Sequence, residues 1–265
     1  STPQTIITND RRGLEEYRMS GNASEEWDTT CWTVLRGAAK GDPSFRTEFA
    51  RLYEPVIRKF LQIRWAARPN RFDLDDAVQD VFLDCLKPDG ALQRLEVGYP
   101  NGFRGYLFGI TRNVARRQEQ RRHLEPLPDH DLEDEQTGAE TAFDRAWART
   151  MMKEAVRVMT ETAERVDAAS VHHGQSKPVP NTAQVDLRAR ASLRVELLRL
   201  RFQENLPIRE IAKAWHVETA WLHHEYATAR AEFHAALLQL IAFHNPSATN
   251  AENQQACREL LAMLH

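Results

Sequence analysis

The fold of this chain is decided by the stretch FDLDDAVQDVFLDCLKPDGALQRLEVGYPNGFRGYLFGITRNVARRQEQRR, residues 72–122. Apolar residues recur every three or four positions in its first part, which predicts an amphipathic helix over about residues 73–86. The same spacing predicts a second helix over about residues 102–122. The segment between them, residues 87–101, contains two prolines and two glycines and is therefore predicted to be a loop.

The two predicted helices carry opposite charge. The polar face of the first is acidic or amide-bearing, with Asp73, Asp75, Asp76, Gln79, Asp80 and Asp84. The second has six arginines against a single glutamate, Glu119. An acidic helix suits a basic protein surface, and a basic helix that also carries aromatic residues suits a nucleic acid.

Both segments resemble parts of the extracytoplasmic-function (ECF) sigma factors of bacterial RNA polymerase. DLDDAVQDVFL resembles the helix that binds the polymerase core, and FRGYLFGITRNVARRQEQRR resembles the following helix, which opens and reads the minus-ten promoter element. Their order and spacing match the family, as does the core pattern F-R-G-[aromatic]-L-x-x-I-x-R-N-x-A-R. The upstream sequence WTVLRGAAKGDP is also similar to the opening of many ECF proteins.

The resemblance implies two sets of binding residues. The set expected to bind the polymerase core is Asp73, Asp75, Asp76, Gln79, Asp80 and Phe82. The set expected to bind minus-ten DNA is Phe103, Arg104, Tyr106, Arg112, Asn113, Arg116, Arg117, Arg121 and Arg122. The aromatic members would stack on unpaired bases, while the others would hold phosphates and base edges. In the family the preceding loop captures a flipped base, for which the candidates here are Arg94, Glu96, Tyr99 and Asn101.

A helix-turn-helix pattern lies near the other end of the chain. Helices are predicted over residues 187–202, with Phe202 among their buried residues, over 207–215, and from 220 onward. Ile211-Ala212, Val217 and Leu222 have helix-turn-helix spacing, and the segment is similar to the sigma-four domain. The set expected to face the minus-thirty-five element is Arg209, Trp221, His223, His224 and Arg230.

This pattern departs from the family in two ways. The turn lacks the usual glycine, and Leu222 is followed by His223, His224 and Glu225 instead of basic and hydroxyl residues. Phosphates repel glutamate and attract neutral histidine only weakly. Either minus-thirty-five recognition is unusual here, or this domain uses shape, protonated histidine or a protein partner.

Other segments connect and flank these two patterns. Helices are predicted over residues 30–39, 45–67 and 142–169, and Pro55 is expected to kink or split the second of them. Residues 125–144 have eight acidic residues and neither lysine nor arginine, which favours a solvated linker. The alternative is a self-inhibitory or DNA-mimicking segment that folds onto the arginine helix or threads a polymerase channel. A final amphipathic helix, residues 251–265, either packs on its own protein or binds a regulator.

Composition limits the class of protein. The net charge of the 265-residue chain is −3, so its basic charge is local, and no apolar run approaches the ~20 residues of a membrane span. The first residues lack the apolar core of a signal peptide, and the three cysteines are scattered. We therefore expect a cytoplasmic protein with reduced thiols and no membrane insertion. No phosphate loop, nucleophile elbow or metal-ligand spacing is present, so we predict no enzyme activity, no cofactor and no metal.

The prediction is an all-α protein with two DNA-facing helical domains. Its segments are a lead-in (1–27), a sigma-two-like domain (28–123), a long, acidic, partly helical linker (124–185), a sigma-four-like helix-turn-helix domain (186–244) and a C-terminal helix (245–265). The resemblance implies a sigma factor that binds the RNA polymerase core and promoter DNA under an anti-sigma or other inhibitory protein. The alternatives are a sigma-like adaptor that binds protein through its distal domain, and a stand-alone helix-turn-helix regulator that binds duplex DNA as a dimer.

Overall fold

The fold is all-α, as predicted, throughout the part of the chain that the structure describes. This structure is a computed structural model, and it describes residues 31–67, 72–95, 99, 102–121, 129–173 and 191–264. The predicted lead-in, Glu96, Asn101 and Arg122 lie outside these ranges. A 3-10 turn at Leu92–Arg94 accompanies the following helices: α1 (Cys31–Lys40), α2 (Pro43–Arg64), α3 (Leu74–Leu86), α4 (Gly102–Arg121), α5 (Asp129–His173), α6 (Ser192–Phe202), α7 (Ile208–Ala214), α8 (Thr219–His244) and α9 (Asn250–Ala262).

Local sequence signals explain where the first helices begin. The Asp42 carboxylate accepts hydrogen bonds from the backbone N–H groups of Ser44 and Phe45, and Pro43 occupies the first turn of α2. Asp73 caps α3 in the same way. Pro55 lies inside α2 without splitting it, because the helix is continuous from Pro43 to Arg64.

The long helix α5 starts earlier than the sequence pattern predicts. It begins at Asp129, directly after Pro128, whereas the periodicity predicts a start at residue 142. Acidic residues are favourable in the first turn of a helix, where they meet the positive end of the helix dipole. Much of the predicted acidic linker is therefore the first part of a 45-residue helix.

The main core combines helices from both ends of the chain. Buried residues of α1 to α5 pack together with Leu237, Leu240 and Ile241 of α8 and with Cys257 and Leu260 of α9. A smaller cluster holds the helix-turn-helix together, and Leu222 in the N-terminal half of α8 belongs to it. Helix α8 therefore contributes one half to each cluster.

The C-terminal helix α9 packs on its own protein, which confirms one of the two alternatives predicted for it. Thr249 and Glu252 form a capping box at its start, in which each side chain meets the backbone N–H of the other residue. Its buried side chains face α8 and α5. The cap and the buried face together fix α9 against the main core.

Two glycines of α4 allow a test of the contact between α4 and the end of α8. Gly102 has a φ of +60°, and a Cβ added there would lie 1.7 Å from Asn245 Oδ1, whereas a Cβ added at Gly109 would meet no heavy atom within 4 Å. We expect Gly102→Ala to destabilise the fold by at least about 1–2 kcal/mol from its backbone conformation alone. Gly109→Ala in the same helix should be neutral or stabilise it by up to about 1 kcal/mol. Chemical denaturation of both variants measures the difference in the free energy of unfolding, and equal values would contradict the left-handed conformation of Gly102 and its close approach to Asn245.

Candidate functional site

The acidic helix α3 and the basic helix α4 lie side by side and neutralise part of each other's charge. Arg117 forms an ion pair with Asp84. The amide nitrogen of Gln118 donates to Asp80 Oδ2 at 2.6 Å, and Arg121 Nη1 lies 3.9 Å from the same oxygen. By sequence, these two charged faces suit different partners, but in the fold they also bind each other.

The Asp84 carboxylate binds two cations, Lys87 and Arg117. Burial by itself raises the pKa of Asp84, but hydrogen bonds from Lys87 and Arg117 outweigh burial and hold that pKa below its usual value. The Asp84 carboxylate is therefore ionised at neutral pH and stays paired with both cations.

The outer face of α3 remains accessible. Asp76 and Gln79 are exposed, and Asp75 is largely exposed although its carboxylate accepts a 2.6 Å bond from Arg58 Nη1. Leu83 is 56% exposed and follows Gln79 by one helical turn. Leu83 is absent from the predicted set, because its only signal in the sequence is that it is an apolar residue outside the buried stripe.

Two members of the predicted polymerase-binding set have structural roles. Asp73 is the N-cap of α3. Phe82 is partly buried and packs edge-on against Phe49, with ring centroids 5.8 Å apart. Asp73 stays exposed while it caps α3, so the exposed part of the predicted set is Asp73, Asp75, Asp76 and Gln79, whereas Asp80 and Phe82 are partly buried.

Phe103 is a core residue, which differs from the expectation that it stacks on DNA bases. Its side chain is completely buried, and its ring packs edge-on against Tyr53 at 5.0 Å. An amphipathic helix turns its largest apolar residues toward the core, so this ring cannot reach a base while α4 stays packed.

The arginines of α4 fall into three groups. Arg104 and Arg117 are ion-paired, the former with Asp144 of α5 through a 2.6 Å contact from its Nη2. The Arg112 Nε atom is buried and, among the described residues, has no hydrogen-bond partner. Arg116 is exposed beside Asn113, which is exposed as well. Arg121 belongs with Arg116, since its side chain is 69% exposed and its only ion pair within the described residues, with Asp80, is 3.9 Å long. Asn113, Arg116 and Arg121 are therefore accessible members of the predicted DNA set.

The pair between Arg104 and Asp144 bears on the acidic segment. Asp144 is the last residue of the acidic segment 125–144, for which folding onto the arginine helix was one alternative. The Arg104 guanidinium contacts the Asp144 carboxylate through both Nε and Nη2, at 3.1 and 2.6 Å. One contact of the type required by the self-inhibition hypothesis is therefore present.

A cavity of about 330 Å³ lies between α3, α4 and the segment that joins them. Its lining includes Arg94, Tyr99, Tyr106, Asn113 and Arg117. The two tyrosine rings meet edge-on at 4.9 Å, and the Tyr106 hydroxyl donates to the Ala91 carbonyl at 2.6 Å. Aromatic faces beside guanidinium and amide groups suit stacking on a base and hydrogen bonding to its edge. Two of the four predicted base-capture residues, Arg94 and Tyr99, are thus brought together with members of the α4 set.

The helix-turn-helix forms without the usual glycine in its turn. Ile211, Ala212 and Leu222 are buried together at the crossing of α7 and α8. In the turn, His216 takes the left-handed conformation with a φ of 53°, which glycine would adopt without strain. Residues other than glycine accept this conformation at a cost of about 1–2 kcal/mol.

Glu225 is held against α6 by an ion pair with Arg194. Its carboxylate accepts a 2.9 Å hydrogen bond from Arg194 Nε of α6, and its side chain is only 14% exposed. The ion pair neutralises Glu225 and turns it toward α6. The repulsion that the sequence suggested is therefore reduced.

The remaining predicted minus-thirty-five residues are distributed around the start of α8. Arg209, His223 and His224 are exposed. Trp221 is only partly exposed because it packs against the helix-turn-helix core. The guanidinium carbon of Arg230 lies 5.9 Å from the centroid of the Tyr226 ring.

The prediction that Phe202 is buried is wrong. It is 69% exposed at the end of α6, with its ring 6.5 Å from that of Tyr226. The helical pattern of α6 continues to its last residue, but within the described ranges no neighbouring element buries that residue. Phe202 therefore adds an exposed aromatic ring to this surface.

Comparisons of this chain with protein-family models, with curated proteins and with solved structures found no match. Within the described ranges, none of the helices combines the length and the apolar character required to cross a membrane. The motifs, the surface formed by α3 and α4, and the separate helix-turn-helix therefore carry the functional inference.

Proposed function

We propose that this chain is an ECF-type sigma factor, which binds the core of bacterial RNA polymerase and directs promoter-specific initiation. The observation that supports this proposal is the side-by-side packing of α3 and α4, whose sequences match the two family motifs in order. Their shared surface has an acidic edge on α3 and the cavity with two tyrosines beside α4.

In this proposal the polymerase core binds the outer face of α3. Asp76 and Gln79 supply charge and hydrogen bonds to a basic polymerase surface, and Leu83 supplies an apolar contact. Interfaces commonly combine an apolar centre with a charged rim. Asp75 and Asp80 contribute further negative charge, although their carboxylates already bind Arg58 and Gln118, respectively.

Promoter DNA would meet two surfaces. The cavity lined by Tyr99 and Tyr106 would receive an unpaired base of the minus-ten element, with Arg116 and Asn113 on the exposed side of α4. The helix-turn-helix would form the second domain, joined to the first through α5, and would read the upstream element. We further propose a cytoplasmic location and control by an anti-sigma or other inhibitory protein.

A sigma-like adaptor is the second candidate function. It is favoured by the exposed side of α8, where His223 and His224 take the positions of basic residues. The exposed Phe202 near Tyr226 would suit a protein partner better than DNA. Such an adaptor would bind protein through the helix-turn-helix and would not require a promoter.

Binding to purified core RNA polymerase tests the sigma proposal. The wild-type chain should bind, and Asp76→Arg should weaken binding at least tenfold, because like charges placed together across an interface cost several kcal/mol. The matched control is Glu164→Arg, which makes the same charge change at an exposed position of α5 and should bind as wild type does. Asp76 is preferable to Asp80, because reversing Asp80 would also disturb its contact with Gln118.

Self-inhibition has to be separated from a failure to bind. Deleting residues 125–144 would also remove Phe143, which is buried in the main core. Asp144→Asn is the cleaner variant, since it neutralises the carboxylate on Arg104 and leaves the core intact. If neither the folded wild type nor Asp144→Asn binds the core enzyme, the sigma proposal is wrong. A footprint of two half-sites on duplex DNA would then indicate the dimeric regulator.

A further inference from the structure

Two ion pairs join the acidic helix α3 to the basic helix α4. Asp84 pairs with Arg117, and one turn earlier on α3 the Asp80 carboxylate lies 3.9 Å from Arg121 Nη1, one turn later on α4. Residues four positions apart lie on the same face of a helix, so two acids of α3 stand opposite two arginines of α4. Gln118 adds a 2.6 Å hydrogen bond to Asp80. Both of these arginines belong to the set expected to bind minus-ten DNA.

The paired arginines can still be reached from the solvent. The Arg117 side chain is 47% exposed and that of Arg121 is 69% exposed. A phosphate can therefore approach either guanidinium while the fold stays intact. It would meet an aspartate carboxylate beside each one, and like charges repel.

Asp84 is the stronger competitor of the two acids. Its carboxylate accepts hydrogen bonds from Lys87 and Arg117, and all three residues line the cavity between α3 and α4. Because the pKa of Asp84 is held below its usual value, the carboxylate keeps its charge at neutral pH. An ionised carboxylate in this wall occupies donors that a phosphate would use. Asp84 belongs to neither of the two predicted binding sets.

Arg116 differs from its neighbour in the chain. It is exposed, and among the described residues it has no ion-pair partner. The free chain therefore presents Arg116 to a nucleic acid without competition, whereas Arg117 is held by an acid of the adjacent helix.

We propose that Asp84, assisted by Asp80, competes with nucleic acid for the arginines of α4 and so limits the affinity of the free chain for DNA. This inference rests on the proposed function, because it takes α4 as the DNA-binding helix. A polymerase cation that binds Asp80 would release Arg121. Binding of the polymerase and binding of DNA would then strengthen each other, since such coupling is reciprocal.

Binding of the full chain to a fluorescently labelled single-stranded DNA of about 12 nucleotides tests the proposal. Asp84→Asn keeps the size of the side chain and removes its charge. At about 0.1 M salt, this variant should bind at least about fivefold more tightly than wild type, as measured by fluorescence anisotropy. The slope of log K against log salt should become steeper by about 0.7, the value for one additional phosphate contact on a single strand.

The matched control is Asp89→Asn, which makes the same charge change at an exposed position just after α3. Asparagine also accepts the left-handed backbone of this residue, whose φ is 54°. Salt weakens the effect of an exposed charge that has no direct contact with the DNA, so Asp89→Asn should change the affinity by about twofold or less.

Two arginine variants locate the effect. In an Arg117→Gln chain, Asp84→Asn should raise the affinity by only about twofold or less, whereas in an Arg116→Gln chain it should keep its full effect of about fivefold. Equal gains in these two chains would overturn the proposal. So would equal affinities of Asp84→Asn and Asp89→Asn, or no measurable binding by any of the proteins.

The second ion pair repeats the test if Asp84→Asn does not fold. Asp80→Asn should then raise the affinity in wild type and not in Arg121→Gln, and an equal gain in both would overturn the proposal. Polymerase binding is measured separately. A chain that binds the polymerase but shows no gain in Asp84→Asn overturns this inference alone. A gain in a chain that does not bind the polymerase supports this inference and overturns the sigma proposal.

Discussion

Replacing Phe103 with alanine is expected to lower the free energy of unfolding by about 3–5 kcal/mol. The ring is completely buried, and it packs against Tyr53 at 5.0 Å, Phe49 at 6.3 Å and Trp147 at 6.4 Å. These neighbours belong to α2 and α5, so Phe103 joins three helices. Truncation removes apolar contacts and leaves a cavity that the surrounding helices fill only in part. Denaturant-induced unfolding followed by circular dichroism measures the effect.

Leu83→Ala is the matched control for Phe103→Ala. Leu83 lies on the neighbouring helix α3 and is 56% exposed, so its truncation should change the free energy of unfolding by about 0.5 kcal/mol or less. If Phe103→Ala lowered the free energy of unfolding as little as Leu83→Ala does, the position of Phe103 in the core would be contradicted.

The position of Phe103 changes how a loss of promoter activity in its variants is interpreted. Phe103→Leu keeps most of the apolar volume and should preserve both the fold and DNA opening if the residue is structural. Tyr106→Leu removes an aromatic ring from the cavity between α3 and α4. If base stacking occurs there, Tyr106→Leu should reduce promoter opening more than Phe103→Leu does.

Protonation of His244 is expected to lower the free energy of unfolding by about 3 kcal/mol as the pH is lowered from about 6.5 to about 4. Burial lowers the pKa of His244 from its ordinary 6.5 to about 4, against smaller opposing effects of the Leu240 carbonyl and of Glu154. The unfolded chain therefore takes up a proton below pH 6.5, whereas the folded chain resists it until about pH 4. The stabilisation that comes from keeping His244 neutral is therefore fully present above pH 6.5, and it is lost as the pH falls toward 4.

The geometry around His244 explains why the neutral ring is preferred. Its Nδ1 lies 2.7 Å from the Leu240 carbonyl oxygen, which can only accept, so Nδ1 carries the proton. Its Nε2 lies 3.0 Å from the Tyr53 hydroxyl, which donates to it. The ring also meets Trp147 edge-on at 5.1 Å. Protonation would place a charge in this apolar junction of α2, α5 and α8.

The difference in stability between wild type and His244→Gln isolates this effect, since carboxylates also titrate near pH 4. That difference should change by about 3 kcal/mol between pH 6.5 and pH 4. The matched control is His234→Gln, which makes the same substitution at an exposed position of α8. A His244→Gln protein with the same pH dependence as wild type would rule out His244 as the group responsible.

Local patterns in the sequence were sufficient to predict the all-α class and the main helices around the proposed site. The apolar periodicity of α3 and α4 requires only residues within two or three turns of one another, and Asp73 caps α3 from the position next to it. The spacing of Ile211, Ala212 and Leu222 likewise identified the crossing of α7 and α8. These features depend on neighbours along the chain, so they can be derived without knowledge of the fold.

The tertiary structure determines which charged and buried groups are in contact. The pairs of Asp84 with Arg117, of Asp144 with Arg104 and of Glu225 with Arg194 join residues that are 31 to 40 positions apart. Burial of His244 against Tyr53 spans 191 positions. Periodicity shows which face of a helix is apolar or charged, but it does not show which other helix covers that face. Local periodicity therefore predicted most helices and the charge of their faces, while the contacts of α4 with α3 and α5 and of α6 with α8 decided which of those charges are paired.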